Sequence, residues 1–198
     1  YKVTGVQTCA LPIYKGTTAL SSVTVAAGIN GASAAGTNTT NAQGYFEISG
    51  LVTTAGDVIT LYLEDESQDA VTVIIASGST LSGVDLFQNR LIVRSATGGS
   101  SITNTHLNTA DNNGDSDIAA IYSMTDSNTT LSLARHKELY IWTGSTFLPG
   151  GRIKTHDVDV QGTLTLATHG LTASGTVIGS GSVTSSSGIT LKIGRAHV

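Results

Sequence analysis

The chain contains few of the residues on which several classes of protein depend. Its 198 residues include one cysteine, two prolines and one tryptophan, and only 12% of them are charged. A single cysteine excludes an intramolecular disulfide framework and a cysteine-rich zinc site. The formal net charge of −4, without a basic run, excludes the electrostatic signature of a nucleic-acid-binding protein. No apolar run approaches the ~18 residues that a membrane-spanning helix requires, so we expect no membrane span.

Both ends of the chain resemble translated laboratory sequence. Residues 3–13 read as the translation of a common short-read sequencing adapter, and residues 193–198 read as the translation of its opposite strand. We therefore predict that residues 1–13 and 193–198 derive from the adapter and that the interior is a piece of a longer gene. Because Cys9 lies in the first of these segments, the natural part is expected to be free of cysteine.

What the chain does contain is short aliphatic runs separated by glycine, serine, threonine and asparagine. Apolar residues alternate with polar ones over a few positions, and no stretch keeps a helical period, so the pattern predicts an all-β protein. Within residues 14–95 about six such runs, at residues 22–26, 44–51, 57–63, 70–75, 84–87 and 90–94, predict an antiparallel β-sandwich. Its expected core contains the inward-facing residues Val23, Val25, Phe46, Ile48, Val58, Leu61 and Leu63.

A different texture follows the glycine-rich stretch near residue 96. Residues 96–150 are predicted to be a β-rich connecting module with strands at 118–124, 130–133 and 138–142. From residue 151 to residue 192, short Thr/Val/Leu/Ile segments alternate with glycine or serine corners, as in the rungs of a β-solenoid. The predicted fold is thus an N-terminal antiparallel β-sandwich followed by a β-rich, β-helix-like repeat segment.

The acidic segment around residue 114 is a candidate calcium site. Oxygen-bearing side chains occupy alternate positions, at Asp111, Asn113, Asp115 and Asp117, and calcium binds six to eight such oxygens. The same residue types are also common in a solvated turn that binds no metal. Calcium is therefore one of two interpretations that the sequence leaves open.

Two other groups of residues could bind or cleave a glycan. Tyr140 and Trp142 are two positions apart on a predicted strand, so they share a face on which a sugar ring could stack, or they could simply cover the sheet. Asp157 and Asp159 also share a face, and paired carboxylates cleave glycosidic bonds in many enzymes. The alternative is a charged strand that resists aggregation.

Other enzyme chemistry has no support in the sequence. The histidines lack the spacing of zinc ligands, and neither a Gly-x-Ser-x-Gly elbow nor a phosphate-binding loop occurs. We therefore expect that the chain is not an enzyme.

Residues 39–46, followed by Ile48, Gly50-Leu51 and Gly56-Asp57, resemble the carboxypeptidase-regulatory-like and related prealbumin-like modules. The shared pattern is a polar turn, a glycine, an aromatic strand and then Gly-Leu before a further strand. The resemblance covers roughly residues 18–95 and implies a β-sandwich. Most members of these families are spacers or adhesive modules without catalytic activity, so it also implies a scaffold.

Residues 138–151, continuing into residues 157–164, resemble the repeats of large bacterial surface and autotransporter-like proteins. In those repeats a strand, an aromatic-Pro-Gly-Gly turn and a Gly-Thr-Leu rung recur in long arrays. This resemblance implies a β-helical stalk at the cell surface.

Together these observations predict a structural or adhesive fragment of a secreted bacterial surface protein that acts as a stalk or scaffold. Its expected location is extracellular or at the cell surface, and its expected partners are neighbouring repeats of the same polypeptide and surface glycans. Two alternatives remain at this stage. One is a carbohydrate-binding module built on Tyr140 and Trp142, and the other is a polysaccharide-cleaving β-helix enzyme.

Overall fold

The structure, a computed structural model, describes residues 3–6, 14–15, 18–96, 100–111 and 114–186. Asn113, residues 187–192 of the last predicted segment and the predicted adapter segment 193–198 lie outside the described residues. The described part is all-β apart from two short helices, as the sequence predicts. Residues Val3–Val6, inside the other predicted adapter segment, form a strand that pairs antiparallel with Leu51–Thr53.

The N-terminal half is built from short strands. In chain order they are β1 (Val3–Val6), β2 (Tyr14–Lys15), β3 (Thr18–Ala19), β4 (Thr24–Ile29), β5 (Gly36–Thr39), β6 (Leu51–Thr53), β7 (Ala55–Leu63), β8 (Val71–Ser77) and β9 (Arg90–Ser95).

The C-terminal half begins with the two helices, α1 (Asn104–Ala110) and α2 (Ser116–Ala119). Ten strands follow: β10 (Tyr122–Thr125), β11 (Thr130–Leu133), β12 (Glu138–Ile141), β13 (Thr146–Phe147), β14 (Arg152–Thr155), β15 (Asp157–Val160), β16 (Thr163–Ala167), β17 (Leu171–Ala173), β18 (Val177–Ile178) and β19 (Ser182–Ser185).

One eight-stranded sheet joins the two halves. Its strand order is β18-β15-β12-β9-β8-β7-β4-β5. The pairs from β18 to β8 are parallel, and the pairs from β8 to β5 are antiparallel. The sheet therefore continues across residues 96 and 150, where the sequence predicts boundaries between modules.

The parallel part of this sheet is one face of a β-solenoid. Strands β12, β13 and β14 form one rung, β15, β16 and β17 form the next, and β18 and β19 belong to a third. Glu138 pairs with Asp157, and Val158 pairs with Val177, so equivalent positions are 19 residues apart in both steps. This stacking of rungs confirms the β-helix-like repeat that the sequence predicts.

Alternation along each strand explains why the rungs stack. In β12 the side chains of Leu139 and Ile141 are fully buried, and their partners in β15, Val158 and Val160, are buried as well. A second ladder runs from Phe147 to Leu164 on the strands β13 and β16. Each rung covers apolar side chains of its neighbour, and that burial stabilises the stack by about 25 cal/mol per Å² of apolar surface.

The first turn of the solenoid is interrupted by an insertion that carries the helices. Ile102 bridges to Phe147 in the next rung, and the chain returns to the solenoid only at β11. Between them α1 packs against β7 and β8. It begins at a capping box in which the Thr103 hydroxyl accepts from the His106 amide, while the His106 ring accepts from the Thr103 amide.

The predicted N-terminal β-sandwich is not confirmed. The antiparallel strands form a single sheet with a different hydrophobic core on each face. One face, with Val58, Val71 and Val73, is continuous with the core that contains the solenoid interior and the two helices. The other face is covered mainly by irregular segments that contribute Phe46 and Leu86, and the short strand β6 contributes Leu51.

Two predicted strands are wrong and a third is confirmed only over its second half, although the predicted core residues are all buried. Residues 44–51 and 84–87 are mostly irregular, and the region 118–124 contains the end of α2 before β10 begins. Apolar residues in these segments are buried against a sheet, so their hydrophobicity reflects their position and not strand pairing.

The structure has no candidate for a membrane-spanning helix among the described residues, because neither α1 nor α2 has the required length and apolar character.

Close stacking of the rungs leaves no room for a side chain at several glycine corners, and Gly162 is one of them. A Cβ atom at Gly162 would collide with the carbonyl oxygens of Trp142 and Ser145 in the preceding rung, whereas a Cβ at Gly170 would meet open space. We predict that Gly162→Ala lowers the free energy of unfolding by about 1–3 kcal/mol, because the rungs must move apart to admit the methyl group. Gly170→Ala is the matched control and should change it little. Urea denaturation measures both, and equal stability of the two variants would contradict the rung packing.

Candidate functional site

The predicted aromatic pair lies on the outer face of the solenoid. Tyr140 and Trp142 are partly exposed, while Leu139 and Ile141 point into the core, as expected from the alternation of a strand. The ring centroids are 5.9 Å apart and the ring planes are inclined by 57°. The two rings are therefore neighbours, but they form an angled surface and not a flat platform.

Two arginines from the adjacent strand β9 extend this surface. The Arg90 guanidinium lies 5.4 Å from the centre of the Tyr140 ring, and the Arg94 guanidinium lies 5.1 Å from that of Trp142. These distances are within the range of cation–π attraction. We call Arg90, Arg94, Tyr140 and Trp142 the arginine–aromatic face.

Both guanidiniums also have polar partners. Arg90 forms an ion pair of 3.1 Å with Glu138. Arg94 donates to the carbonyl oxygen of Ser82 at 3.1 Å and to that of Gly83. Burial lowers the pKa of Arg94 from its ordinary value, although the nearby Asp85 opposes this shift. Each arginine is thus fixed in position by the strand or loop beside it.

Asp85 is a functional candidate that the sequence analysis missed. Its side chain is only 6% exposed, and its Oδ1 atom has no hydrogen-bond partner among the described residues. Burial raises the pKa of Asp85 to about 6, and Arg94 partly opposes this shift. The Asp85 carbonyl oxygen accepts from the Thr72 hydroxyl at 2.7 Å, and Thr72 is aligned through Ile92 with Tyr140 across β8, β9 and β12. Asp85 therefore lies on the outer side of the sheet, two strands from the aromatic pair. Its one sequence signal is an acid within the otherwise apolar run from Val84 to Phe87.

The predicted acidic pair is brought to the same side of the sheet, but both side chains have partners. Asp157 accepts from the Thr176 amide at 2.6 Å and contacts the His156 ring at 2.9 Å. Asp159 accepts from the Gln161 amide group at 2.6 Å. These contacts hold the strands and corners of successive rungs together.

The pKa values of Glu138 and Asp157, which are paired across β12 and β15, shift in opposite directions. Burial raises the pKa of Glu138, while Arg90 opposes the shift. Burial also favours a higher pKa for Asp157. Hydrogen bonds with the Thr176 amide and with His156 outweigh this effect, so the pKa of Asp157 is lowered.

A cavity of about 270 Å³ adjoins the arginine–aromatic face. Arg90 of that face and its ion-pair partner Glu138 both line the cavity. The other lining residues are Phe87, Gln88, Asn89, His136 and Asp157. Its lining is mainly polar, with one aromatic wall. Such a mixture suits a ligand that carries hydroxyl groups and apolar C–H faces.

A larger cavity, of about 490 Å³, lies elsewhere, near the corner between β11 and β14. Its lining contains no phenylalanine, tyrosine or tryptophan and none of the predicted site residues. It consists of Asp126, Thr129, Thr130, Gly150, Gly151, Arg152 and His169. We therefore place the candidate site at the smaller cavity.

The structure divides the predicted calcium ligands. Asp115 and Asp117 lie together with Glu64, and one carboxylate oxygen from each falls within 4.8 Å of the others. Asp111 ends α1 and is not a member of this group, and Asn113 lies outside the described residues. Sequence spacing could not reveal Glu64, because it reaches the group from the far end of β7 through tertiary contact.

Local structure accounts for part of this carboxylate group. Asp115 caps α2 by accepting from the amides of Asp117 and Ile118, and Asp117 accepts from the Asp65 amide at 3.0 Å. Burial raises the pKa of Glu64, and Asp115 and Asp117 add to the increase by repulsion, while a hydrogen bond with Tyr62 opposes it. Calcium at Asp111, Asn113, Asp115 and Asp117 stays a prediction.

Comparisons with known proteins found no match for this chain. No family model, no curated protein and no solved structure matches the chain. The function of the chain is therefore inferred from its own residues and their geometry.

The raised pKa of Asp111 predicts a measurable pH dependence. Burial, followed by repulsion from Asp115, raises its pKa from 3.8 to about 6. A carboxyl group with a raised folded-state pKa contributes stability below pH 3.8, and that stability is lost as the pH rises through about 6. We predict that Asp111→Asn raises the free energy of unfolding at pH 7.5 by about 1 kcal/mol, allowing for solvent screening, and has little effect at pH 3.5. Thermal melts at both values test this, with the exposed Asp126→Asn as control.

The carboxylate group of Glu64, Asp115 and Asp117 predicts a response to calcium. If the three bind the ion, millimolar calcium should raise the melting temperature by several degrees, and Glu64→Gln should weaken the response at least tenfold in calcium concentration. Asp126→Asn is again the control, because Asp126 lies outside the group. A melting temperature that calcium leaves unchanged in the wild type would rule out the site.

Proposed function

We propose that the chain is a structural or adhesive segment of a secreted bacterial surface protein, where it acts as a stalk or scaffold outside the cell. The repeated in-register stacking of rungs, with an offset of 19 residues in both steps on the face formed by β12, β15 and β18, is the observation that carries this proposal. Successive rungs repeat the same ladder of hydrogen bonds and buried side chains. A solenoid of this kind can therefore be lengthened by further rungs that pair and pack in the same way. The partners of each rung are the neighbouring rungs of the same polypeptide.

The outer surface of the solenoid supports a structural role. Its rungs are tied together by repeated polar contacts over the same offset, such as those from Thr184 to Thr165 and from Ser180 to Gln161. These side chains are exposed, so their small individual contributions add along the stack without a need for burial. A rod of this type bears load through its backbone ladders.

Deleting one full rung tests the proposal. Removing residues 157–175 joins His156 to Thr176, which then occupies the register position of Asp157 beside Glu138. We predict that this variant keeps a β-type circular dichroism spectrum and one cooperative melt, with a midpoint only a few degrees lower. Removing residues 157–165 shifts the register and should abolish the cooperative melt. If both deletions unfold the chain equally, the rungs are not interchangeable and the stalk proposal fails.

A second candidate function is carbohydrate binding at the arginine–aromatic face. The specific observation is that Tyr140 and Trp142 remain partly exposed although a neighbouring loop covers the adjoining strands of the same sheet. Partly exposed aromatic rings beside hydrogen-bonding groups match the C–H faces and hydroxyls of a sugar. Such binding is compatible with an adhesive stalk.

Replacing the tryptophan tests this second function. We predict that Trp142→Ala raises the Kd for a bound oligosaccharide at least tenfold, about 1.4 kcal/mol, because the stacking surface is lost. Tyr45→Ala is the matched control, since Tyr45 is 45% exposed but lies in a different segment. Isothermal titration calorimetry measures both. Equal affinity in Trp142→Ala and the wild type would exclude binding at this face.

A further inference from the structure

Asp85 is a buried acid beside the arginine–aromatic face that has no ion pair among the described residues and no hydrogen bond at Oδ1. Its side chain is 94% enclosed by protein, yet Oδ1 receives no hydrogen bond and no arginine or lysine lies within salt-bridge distance. A buried charge that is not compensated locally costs stability. The Asp85 carbonyl oxygen accepts from the Thr72 hydroxyl of β8 at 2.7 Å, and Thr72 is aligned through Ile92 with Tyr140, two strands away. Asp85 therefore lies over the outer side of the sheet, where its charge acts on the space above the arginine–aromatic face.

Neither arginine of the face is free to neutralise the charge of Asp85. Arg90 is paired with Glu138, and Arg94 is bound by two carbonyl oxygens. Asp159 lies beside Tyr140 on the next strand and adds a further carboxylate. A ligand at this face and its adjoining cavity is therefore exposed to the field of four carboxylates, those of Asp85, Glu138, Asp157 and Asp159, and of two guanidiniums that already have partners.

The groups available to such a ligand are suited to hydroxyls. The adjoining cavity contains the amides of Gln88 and Asn89 and the carboxylate of Glu138. Amides both donate and accept hydrogen bonds, and carboxylates accept them from hydroxyls. A carboxylate ligand would instead face repulsion in a partly enclosed space, where the effective dielectric constant is well below that of water.

We propose that the arginine–aromatic face and its adjoining cavity bind a neutral oligosaccharide, and that Asp85 is a specificity-determining residue that excludes acidic sugars. The proposal rests on the carbohydrate-binding function proposed above. In it, the rings contact the apolar face of a sugar, the cavity receives its hydroxyls, and the charge of Asp85 repels a uronate carboxylate.

Calorimetric titration with matched probes tests the assignment. The probes are cellohexaose, xylohexaose and mannohexaose, which are neutral, and hexagalacturonate, which is acidic and of equal length. We expect the wild type to bind at least one neutral probe at least tenfold more tightly than hexagalacturonate. In Asp85→Asn, which keeps the shape of the side chain and removes its charge, that ratio should fall about tenfold, mainly through tighter binding of hexagalacturonate.

Two further variants keep the test decisive. Asp159→Asn removes a second carboxylate of the face and should shift the ratio in the same direction, whereas Asp126→Asn, distant from the face, should not shift it. The melting temperature of each variant shows that it is folded. A ratio unchanged in Asp85→Asn, or equal binding of acidic and neutral probes by the wild type, overturns the inference.

The failure of the inference is distinguishable from the failure of the function on which it rests. Binding that depends on Trp142 but ignores Asp85 leaves carbohydrate binding intact and removes only the assigned selectivity. The absence of binding by the wild type to all four probes overturns the carbohydrate-binding function together with the inference.

Discussion

The parallel register between successive rungs is the constraint on which the rest of the structure depends. Strand β12 pairs with β9 on one side and with β15 on the other, residue for residue over four positions. Since side chains alternate between the two faces of a strand, a shift by one residue would exchange the buried Leu139 with the outward-facing Tyr140. The register therefore fixes the solenoid core and the exposed aromatic pair at the same time.

The same register determines which charges meet. Arg90, Glu138 and Asp157 occupy equivalent positions on three consecutive strands, so each lies about 4.8 Å from the next along the sheet. The ion pair between Arg90 and Glu138 follows directly from this alignment. Burial beside the cavity then raises the pKa of Glu138, while the amide of Thr176 and the ring of His156 lower that of Asp157.

The antiparallel sheet protects one end of the solenoid while leaving part of its outer face open. Strand β8 pairs parallel with β9, so the backbone groups of the first solenoid strand are satisfied and are not left as an edge. The loop that contains Asp85 and Leu86 covers only the antiparallel strands of this sheet. Tyr140 and Trp142 lie beyond that cover, which explains both their exposure and their proximity to a buried, unpaired carboxylate.

Local sequence was enough to predict several features. Alternation identified β7, β8, β9, β11 and β12, the buried residues Val25 and Leu61, and the shared face of Tyr140 and Trp142, because a strand has a strict period of two. Solenoid rungs were also predictable from their glycine corners. The strands predicted at residues 44–51 and 84–87 were wrong, because apolar residues in an irregular covering segment have the same pattern as a short buried strand.

What the sequence by itself determined is the β character of the chain, most of its buried residues and the rung-like texture of its second half, since these depend on neighbours a few positions apart. Tertiary structure alone decided that one sheet joins both halves, that Glu64 meets Asp115 and Asp117, and that Asp85 lies on the same outer side of the sheet as Tyr140. These contacts join residues that are distant in the chain. They depend on how sheets and loops pack in three dimensions, and no local pattern encodes that packing.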